Sequence, residues 1–278
     1  MKKNSTKILI SLIILAVVGA IIVNFSLSTI KEQKLLAQKA LQEELAQKEA
    51  GRKAKEEAEK VYLLGKFIPS QVVEFLPVPA KYNMSGYNTH LRKEALGAFI
   101  AMAEAASKEG VNLQIVSAAR NFDSQKKIWD DKWNGITLVD GKKLNISIPD
   151  GLARFEKILE YSSVPGTSRH HWGTDIDVNM TVPYYFQTED GKRVYEWLVK
   201  NASTYGFCQP YNEKSLVRPS GYNEEKWHWS YLPLAKNFTE RYKTLITDID
   251  LQGFAGEENV KNLNLINNYV LGINTECL

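Results

Sequence analysis

A long apolar run near the start of the chain is followed by an equally long polar one. Residues 8–30 carry no charged side chain and consist mainly of Ile, Leu, Val and Ala. A membrane-spanning helix needs about 20 such residues. Residues 31–60 are rich in Ala, Gln, Glu and Lys, with one glycine and no proline, which is typical of a solvated helix. The pattern predicts a transmembrane signal-anchor over 8–30 and a charged helical stalk over 31–60.

The flanks of the apolar run predict its orientation. Lys2, Lys3 and Lys7 precede it, and basic residues stay on the cytoplasmic side of a membrane. Residues 1–7 are therefore expected in the cytoplasm and everything after Lys31 outside the plasma membrane. The run has no small-residue cleavage site, which favours an uncleaved anchor over a signal peptide, although the polar stretch Ser26–Thr29 leaves cleavage open.

Within the stalk, acidic residues precede lysines by four positions, which stabilises a lone helix. The three pairs are Glu44 with Lys48, Glu49 with Lys53, and Glu56 with Lys60. No heptad of apolar residues continues beyond Leu41 and Leu45, so a single helix is favoured over a coiled-coil dimer. The pattern leaves the oligomeric state open.

Residues 61–278 mix helical and strand periodicities without a regular βαβ rhythm. Helices are expected at Leu91–Glu109, from Gln125 toward Trp133, at Leu152–Tyr161 and at Arg193–Ser203. Strands are expected at Val111–Ser117, Thr174–Asn179 and Trp227–Tyr231, and a polar loop at 134–151. We therefore predict an α+β fold, with a small, mostly antiparallel central sheet and flanking helices.

Composition and charge narrow the class of protein. The chain has 44% hydrophobic and 24% charged residues, which is typical of a globular protein, and its formal net charge is only +3. A near-neutral domain does not indicate a nucleic-acid partner. The two cysteines, Cys208 and Cys277, could form one disulfide in an oxidising compartment, but their spacing does not decide it.

Three of the four histidines lie in two short, unusual segments. The first is PGTSRHHWGTDIDVN, residues 165–179, and the second is EKWHWSY, residues 225–231. The fourth, His90, is interpreted as a structural residue. Catalytic zinc takes three His or carboxylate ligands and leaves a fourth position for water. Glu225, three residues before His228, could then act as general base, provided that it lies in a turn before the strand.

These segments resemble the zinc D-alanyl-D-alanine carboxypeptidases and dipeptidases, a VanY-like family of LAS-type metallopeptidases that trims cell-wall peptides. Ser168, His170, Gly173 and Asp177 match its motif S-x-H-x-x-G-x-A-x-D, with Asp175 in place of the alanine. Glu225, Trp227 and His228 match E-x-W-H, and Arg120 with Gln125 matches a third element. The motifs run from about residue 117 to residue 231, and nothing before Val61 is covered.

The resemblance implies one zinc ion per chain. Its ligands would be His170, Asp177 and His228, with Glu225 as the general base. Arg120, which could also be an ordinary salt-bridge residue, would stabilise the oxyanion that forms from the scissile carbonyl. Ser168 and Gln125 would position the substrate. Two neighbours leave the ligand set open: Asp175 could compete as a ligand or orient His170, and His171 is the alternative imidazole.

The expected activity is that of a membrane-anchored zinc carboxypeptidase in a bacterial plasma membrane. It would hydrolyse the terminal D-Ala-D-Ala bond of peptidoglycan stem peptides. The same motifs serve L,D-carboxypeptidases, D-Ala-D-Ala dipeptidases and L-Ala-D-Glu endopeptidases, and a metal-bearing binding module without catalysis is the alternative of a different class. Ligand type alone does not exclude divalent ions other than zinc.

Overall fold

The computed structural model describes the chain from Lys2 onward and its side chains from Lys7 onward. Most of the predicted cytoplasmic segment 1–7 therefore lies outside the described side chains. The first element is one continuous helix, α1, over Lys2–Leu63. It is long and apolar enough near the N-terminus to cross a membrane by length and composition, with a mean hydropathy of 2.9 in its apolar part. A signal sequence would pass the same test.

The chain divides into two compact units, the first ending at Glu57 and the second covering Ala58–Leu278. In the first unit, the predicted acid-first pairs Glu44–Lys48 and Glu49–Lys53 are formed, at 2.6 Å and 2.9 Å. Both pairs are exposed, so each contributes only a few tenths of a kcal/mol (~0.3–0.5) to helix stability. The third predicted pair is not formed, because Glu56 pairs with Arg52 and Lys60 pairs with Asp250.

The second unit is built on a four-stranded sheet. Its strands are β3 (Ile115–Ser117), β4 (Asp175–Val178), β5 (Phe207–Cys208) and β6 (His228–Tyr231), arranged in the order β3-β4-β6-β5. All three pairings between neighbours are antiparallel. A separate two-stranded ladder joins β1 (Phe75–Pro77) to β2 (His90–Arg92). The predicted α+β fold with a small antiparallel sheet is confirmed, although the β1–β2 ladder was missed.

Helices surround this sheet. They are α2 (Lys93–Lys108), α3 (Phe122–Trp133), α4 (Leu144–Ser147), α5 (Gly151–Leu159), α6 (Glu189–Asn201) and α7 (Leu232–Leu245). Side chains cap three of them: Asn121 accepts from Ser124 N–H, Asp150 from Ala153 N–H and Thr188 from Gly191 N–H. Such caps satisfy N–H groups that the first helical turn leaves unpaired.

The four predicted helices are confirmed with shifted ends, and the polar loop at 134–151 needs correction. It contains the short helix α4, because Leu144 is buried in the core and fixes the segment locally. The sequence interpretation also missed α7, which begins directly after β6 and carries Pro233 in its first turn. Proline is compatible with a first turn because its missing N–H would have no partner there.

Successive side chains of β4 point alternately into the apolar core and toward the opposite face of the sheet. Ile176 and Val178 join Phe99 and Met102 of α2 in one buried apolar cluster. Asp175 and Asp177 point to the other face, since successive strand residues alternate. A second apolar cluster, which includes Trp129, Phe155 and Tyr242, combines residues of α3, α5 and α7 with apolar residues of the C-terminal segment 246–277. The sheet therefore presents its carboxylates away from the α2 core.

A disulfide joins Cys208 in β5 to Cys277 near the C-terminus, 69 residues later. It ties the C-terminal segment to an edge strand of the sheet. Residue spacing left this bridge open, because pairing depends on which strand the C-terminal segment approaches in space.

Candidate active site

The predicted site residues surround a cleft of about 650 Å³. His170, Asp177, Glu225 and His228 lie in its wall, together with Arg120. Strand register brings the main contributors together, because Asp177 of β4 stands directly opposite both His228 of β6 and Ser117 of β3. Residues more than 100 positions apart along the chain thus share one side of the cleft.

Three of these side chains form a compact group that could hold a metal ion. One ligand atom from each of His170, Asp177 and His228 lies within 4.8 Å of the other two. Asp177 Oδ1 is 3.4 Å from His170 Nε2 and 3.4 Å from His228 Nδ1. All three residues are buried, with exposed fractions of 1–4%.

The hydrogen-bond inventory of this group fits a bound cation. Within the described part of the chain, His170 Nε2 and Asp177 Oδ1 are buried and have no hydrogen-bond partner. Leaving a buried polar atom unpaired is costly, by about 1–3 kcal/mol. The two atoms lie 3.4 Å apart, and two imidazole nitrogens with one carboxylate oxygen are a usual ligand set for catalytic zinc. The residues therefore fit the ion that the motifs imply.

A hydrogen-bonding contact on the far side of each imidazole determines which ring nitrogen faces the position of the metal. His170 Nδ1 lies 2.7 Å from the carbonyl oxygen of Ala118, and His228 Nε2 lies 2.9 Å from Asp175 Oδ2. A hydrogen bond on one ring nitrogen orients the ring and directs the other nitrogen toward the position of a metal. His170 therefore offers Nε2, and His228 offers Nδ1.

Asp175 is fully buried and contacts several polar side chains. Its carboxylate accepts hydrogen bonds from Arg169 Nε at 3.0 Å, Thr174 Oγ1 at 2.6 Å and Ser230 Oγ at 2.8 Å. Burial by itself would raise the pKa of Asp175, but Arg169 and His228 hold it well below its ordinary value. Sequence reasoning considered Asp175 as a competing ligand or as a partner of His170; the structure places it against His228.

We expect Asp175→Asn to lower the free energy of unfolding by about 3–5 kcal/mol, because it leaves the Arg169 guanidinium buried without its counter-charge. Asp190→Asn is the matched control, since it breaks a 2.7 Å pair with Arg193 whose members are each 65% exposed. The control should cost at most about 1 kcal/mol. Urea unfolding monitored by tryptophan fluorescence measures both. Equal losses of unfolding free energy in the two variants would show that the buried Arg169–Asp175 pair stabilises the fold no more than an exposed pair does.

His171 lies beside the candidate ligands but is occupied elsewhere. Its Nδ1 is 2.7 Å from the Arg120 carbonyl oxygen, and its Nε2 accepts the Gly166 N–H at 3.0 Å. Burial lowers the pKa of His171 to about 3, so the ring is neutral. With both nitrogens engaged, it holds the loop before β4 against the Arg120 segment, and the three-residue group does not include it.

Glu225 lies in a turn directly before β6, as its expected position required. The N–H of His228 donates to the Glu225 carbonyl oxygen at 3.2 Å, and Glu225 Oε2 is 3.2 Å from His228 Nδ1. Burial raises the pKa of Glu225 above its ordinary value. A carboxylate that has a raised pKa and lies beside the three-residue group is suited to take up and return a proton.

Arg120 is held at the cleft by three side chains. Its Nη1 donates to Ser117 Oγ at 2.5 Å and lies 3.3 Å from Asp177 Oδ2, and its Nε donates to Gln125 Oε1 at 3.1 Å. Gln125 in turn donates from Nε2 to the Ser163 carbonyl oxygen at 2.7 Å. Both ends of the Gln125 amide are thus engaged, and in this structure its contact is with Arg120.

Two further predicted residues lie apart from the group. Ser168 is 1% exposed and is absent from the cleft wall, and its hydroxyl has no partner among the described residues. His90 lies in β2, where its Nδ1 is 3.2 Å from the Asn88 carbonyl oxygen. Sequence reasoning missed Tyr211, which packs edge-on against His228 with ring centroids 4.8 Å apart. A tyrosine outside any motif carries no sequence signal for such a contact.

Comparison with known proteins places these residues in a family. The sequence model of the family described as "VanY: D-alanyl-D-alanine carboxypeptidase" matches residues 88–234, more than half of the chain. The putative carboxypeptidase YodJ of Bacillus subtilis (strain 168) is 30% identical over 179 residues, covering 61% of this chain and 56% of that protein. A D-alanyl-D-alanine carboxypeptidase of Enterococcus faecalis (strain ATCC 700802 / V583) is 26% identical over 164 residues, covering 56% and 55%.

Solved structures are also similar. The LdcB LD-carboxypeptidase is 24% identical with a TM-score of 0.46, covering 66% of this chain and 81% of that one. The vancomycin-resistance D,D-pentapeptidase VanY in complex with Zn(II) is 24% identical with a TM-score of 0.41, covering 66% and 92%. The chain spans a little more than half the length of the curated relatives it matches. The family match includes every residue of the three-residue group together with Arg120 and Glu225. The chain therefore belongs to the VanY D-alanyl-D-alanine carboxypeptidase family.

Proposed function

We propose that this protein is a membrane-anchored zinc carboxypeptidase that removes the terminal D-alanine from peptidoglycan stem peptides ending in D-Ala-D-Ala. The observation that carries the proposal is the pair of buried, unpartnered atoms, His170 Nε2 and Asp177 Oδ1, which face each other beside Glu225 in an open cleft. Family membership supports the class of reaction.

In the proposed mechanism, His170 Nε2, Asp177 Oδ1 and His228 Nδ1 would hold one zinc ion. When bound, zinc supplies a Lewis acid that polarises the scissile carbonyl and lowers the pKa of water toward about 7. Glu225 takes the proton from the attacking water and delivers it to the amine of the leaving D-alanine, so the same carboxylate acts first as base and then as acid.

Arg120 stabilises the negative charge that develops on the carbonyl oxygen. Ser117, Gln125 and Asp177 hold its guanidinium in place before the substrate binds. A donor that is already oriented needs no reorganisation during the reaction, which is why fixed groups of this kind contribute strongly to catalysis. Gln125 accordingly acts by positioning Arg120.

We further propose that residues 8–30 anchor the protein in the bacterial plasma membrane and that residues 31–60 form the stalk of an extracytoplasmic domain. The long apolar helix and the basic start of the chain support this arrangement. It would give the domain of residues 61–278 access to wall peptides and to an oxidising compartment, in which the Cys208–Cys277 bridge is stable.

The test is hydrolysis of a stem pentapeptide ending in D-Ala-D-Ala by the full-length protein in detergent micelles, with zinc content measured on the same sample. We expect about one zinc per chain and release of free D-alanine, with loss of activity on chelation and recovery on adding zinc. Mass spectrometry of the products identifies the bond that is cut.

Other products would point to other activities. Cleavage of a tetrapeptide, but not of the pentapeptide, would indicate an L,D-carboxypeptidase. Cleavage after L-alanine would indicate an L-Ala-D-Glu endopeptidase. Hydrolysis of the free dipeptide D-Ala-D-Ala, with no cleavage of stem peptides, would indicate a dipeptidase. Zinc binding with no hydrolysis of any stem peptide would contradict the enzyme assignment and favour a wall-peptide binding module.

A further inference from the structure

The cleft contains a second cation that the proposed mechanism does not use. Among the described residues, the Arg and Lys side chains in its wall are Arg120 and Lys132. Arg120 is committed to Asp177, Ser117 and Gln125. Lys132 lies in the last turn of α3, and its Nζ donates to Ser162 Oγ, also in the cleft wall.

Lys132 differs from the other lysines of α3 in having no acidic partner. Lys126 pairs with Asp130 at 2.5 Å, and Lys127 pairs with Asp131 at 2.7 Å, each four residues along the helix. The positions four residues before and after Lys132 are Ile128 and Ile136. In the part of the chain that the structure describes, no carboxylate forms a salt bridge with Lys132.

The surroundings of Lys132 favour an incoming anion. Burial lowers the pKa of Lys132. The nearby Glu225 carboxylate opposes this shift, and the Arg120 guanidinium adds to it. The Lys132 ammonium therefore interacts electrostatically with both of these groups. A partly buried ammonium with few counter-charges gains more from a carboxylate than an exposed one does, because less water screens the pair.

The contact with Ser162 leaves donors on both residues available at one place. The Ser162 hydroxyl accepts from Lys132, so its own hydrogen remains free to donate, and an ammonium has two further N–H groups. Ser162 is 6% exposed, so little water screens its hydroxyl. A lysine N–H and a serine O–H side by side match the two oxygens of a carboxylate.

We propose that Lys132, together with Ser162, binds the free C-terminal carboxylate of the substrate and thereby restricts the enzyme to the ends of peptides. The inference rests on the proposed carboxypeptidase function, since only an enzyme that removes a terminal residue needs to recognise this group. A continuing chain or a C-terminal amide would present a neutral group to Lys132 and leave its charge unpaired.

The experiment compares two stem pentapeptides that are identical except at the end, one with a free terminal carboxylate and one with a terminal amide. Steady-state kcat/KM is measured for the full-length protein and for Lys132→Met. We expect the wild-type protein to prefer the acid, and Lys132→Met to lose about 10- to 100-fold on the acid while changing little on the amide. The preference for the acid should therefore largely disappear in the variant.

Two further variants separate charge from structure. Lys132→Arg keeps the charge and should retain most of the preference for the acid. Lys127→Met removes a charge from an exposed position on the same helix, where the lysine side chain is 75% exposed, and should behave as wild type. Equal losses on acid and amide in Lys132→Met, or a wild-type protein that does not distinguish the two, would overturn the inference.

Failure of the proposed function has a different signature. If the wild-type protein hydrolyses neither peptide, the carboxypeptidase assignment fails, whatever Lys132 does. Titration calorimetry of the two peptides with wild type and Lys132→Met then decides the inference directly. Tighter binding of the acid that is lost in Lys132→Met would support the carboxylate site, and equal affinities would contradict it.

Discussion

Replacement of Glu225 by glutamine is expected to lower kcat on the D-Ala-D-Ala pentapeptide by about 10²- to 10⁴-fold, the usual contribution of a general acid–base group. Glutamine keeps the size and the turn of Glu225 but cannot accept a proton. Because the proposed ligands are His170, Asp177 and His228, the variant should retain its zinc. Rates come from D-alanine release, and metal content from elemental analysis of the same preparation.

Glu224→Gln provides the matched control for this variant. Glu224 precedes Glu225 directly but lies 3.7 Å from Lys226 and accepts the Tyr195 hydroxyl at 3.2 Å, outside the cleft wall. It should hydrolyse the peptide at the wild-type rate. If Glu225→Gln, with its zinc intact, were as active as Glu224→Gln, another group would have to move the proton and the proposed mechanism would be wrong.

Removal of a proposed ligand is expected to have the other large effect. His170→Ala should bring zinc content from about one per chain to near zero, since two remaining ligands hold zinc poorly. Hydrolysis should fall to background as a consequence. Elemental analysis after dialysis against a weak chelator measures the first effect, and D-alanine release measures the second.

His90→Ala is the control for loss of a histidine, because His90 contacts Asn88 rather than the three-residue group. It should retain a full complement of zinc. The ligand assignment would be contradicted if His170→Ala bound zinc as tightly as His90→Ala does. Circular dichroism of both variants distinguishes loss of the ion from loss of the fold, since His170 is buried and also contacts the Ala118 carbonyl oxygen.

Strand register explains why sequence motifs predicted the three-residue group well. Asp177 and His228 are 51 positions apart in the chain, yet β4 and β6 pair them directly. The alternation of Thr174–Asn179 indicated which side chains share a face of that strand. Short motifs preserve both the chemistry and the spacing on each strand, so the group could be predicted before its strands were paired.

The roles of the neighbouring residues could not be predicted in the same way. Asp175 shares the face of Asp177, and its spacing alone suggested a competing ligand or a partner for His170. In the folded chain, Arg169, Thr174 and Ser230 donate hydrogen bonds to its carboxylate. The oxygen that accepts from Arg169, Oδ2, also contacts His228 Nε2. Those partners come from different elements, so their convergence depends on packing rather than on local pattern.

Lys132 shows the same limit more clearly. In the sequence it differs from Lys126 and Lys127 only in having no acidic residue four positions away, which does not indicate a place in a cleft. Its distinct environment arises because α3 ends against the segment that carries Ser162 and because its own helix offers it no acid. The direction of a helical side chain is periodic, but what it meets depends on the elements packed beside it.

The sequence by itself determined four helices and three strands of the domain, the apolar helix at the start of the chain, the family, and the residues that form the three-residue group with Glu225. These follow from local periodicity and from motifs whose spacing is measured along the chain. The tertiary structure alone decided the Cys208–Cys277 pairing, the attachment of Asp175 to His228, the separation of His171 from the group, and the position of Lys132 in the cleft. Each of these depends on contacts between distant segments, and such contacts are set by packing and strand order rather than by neighbouring residues.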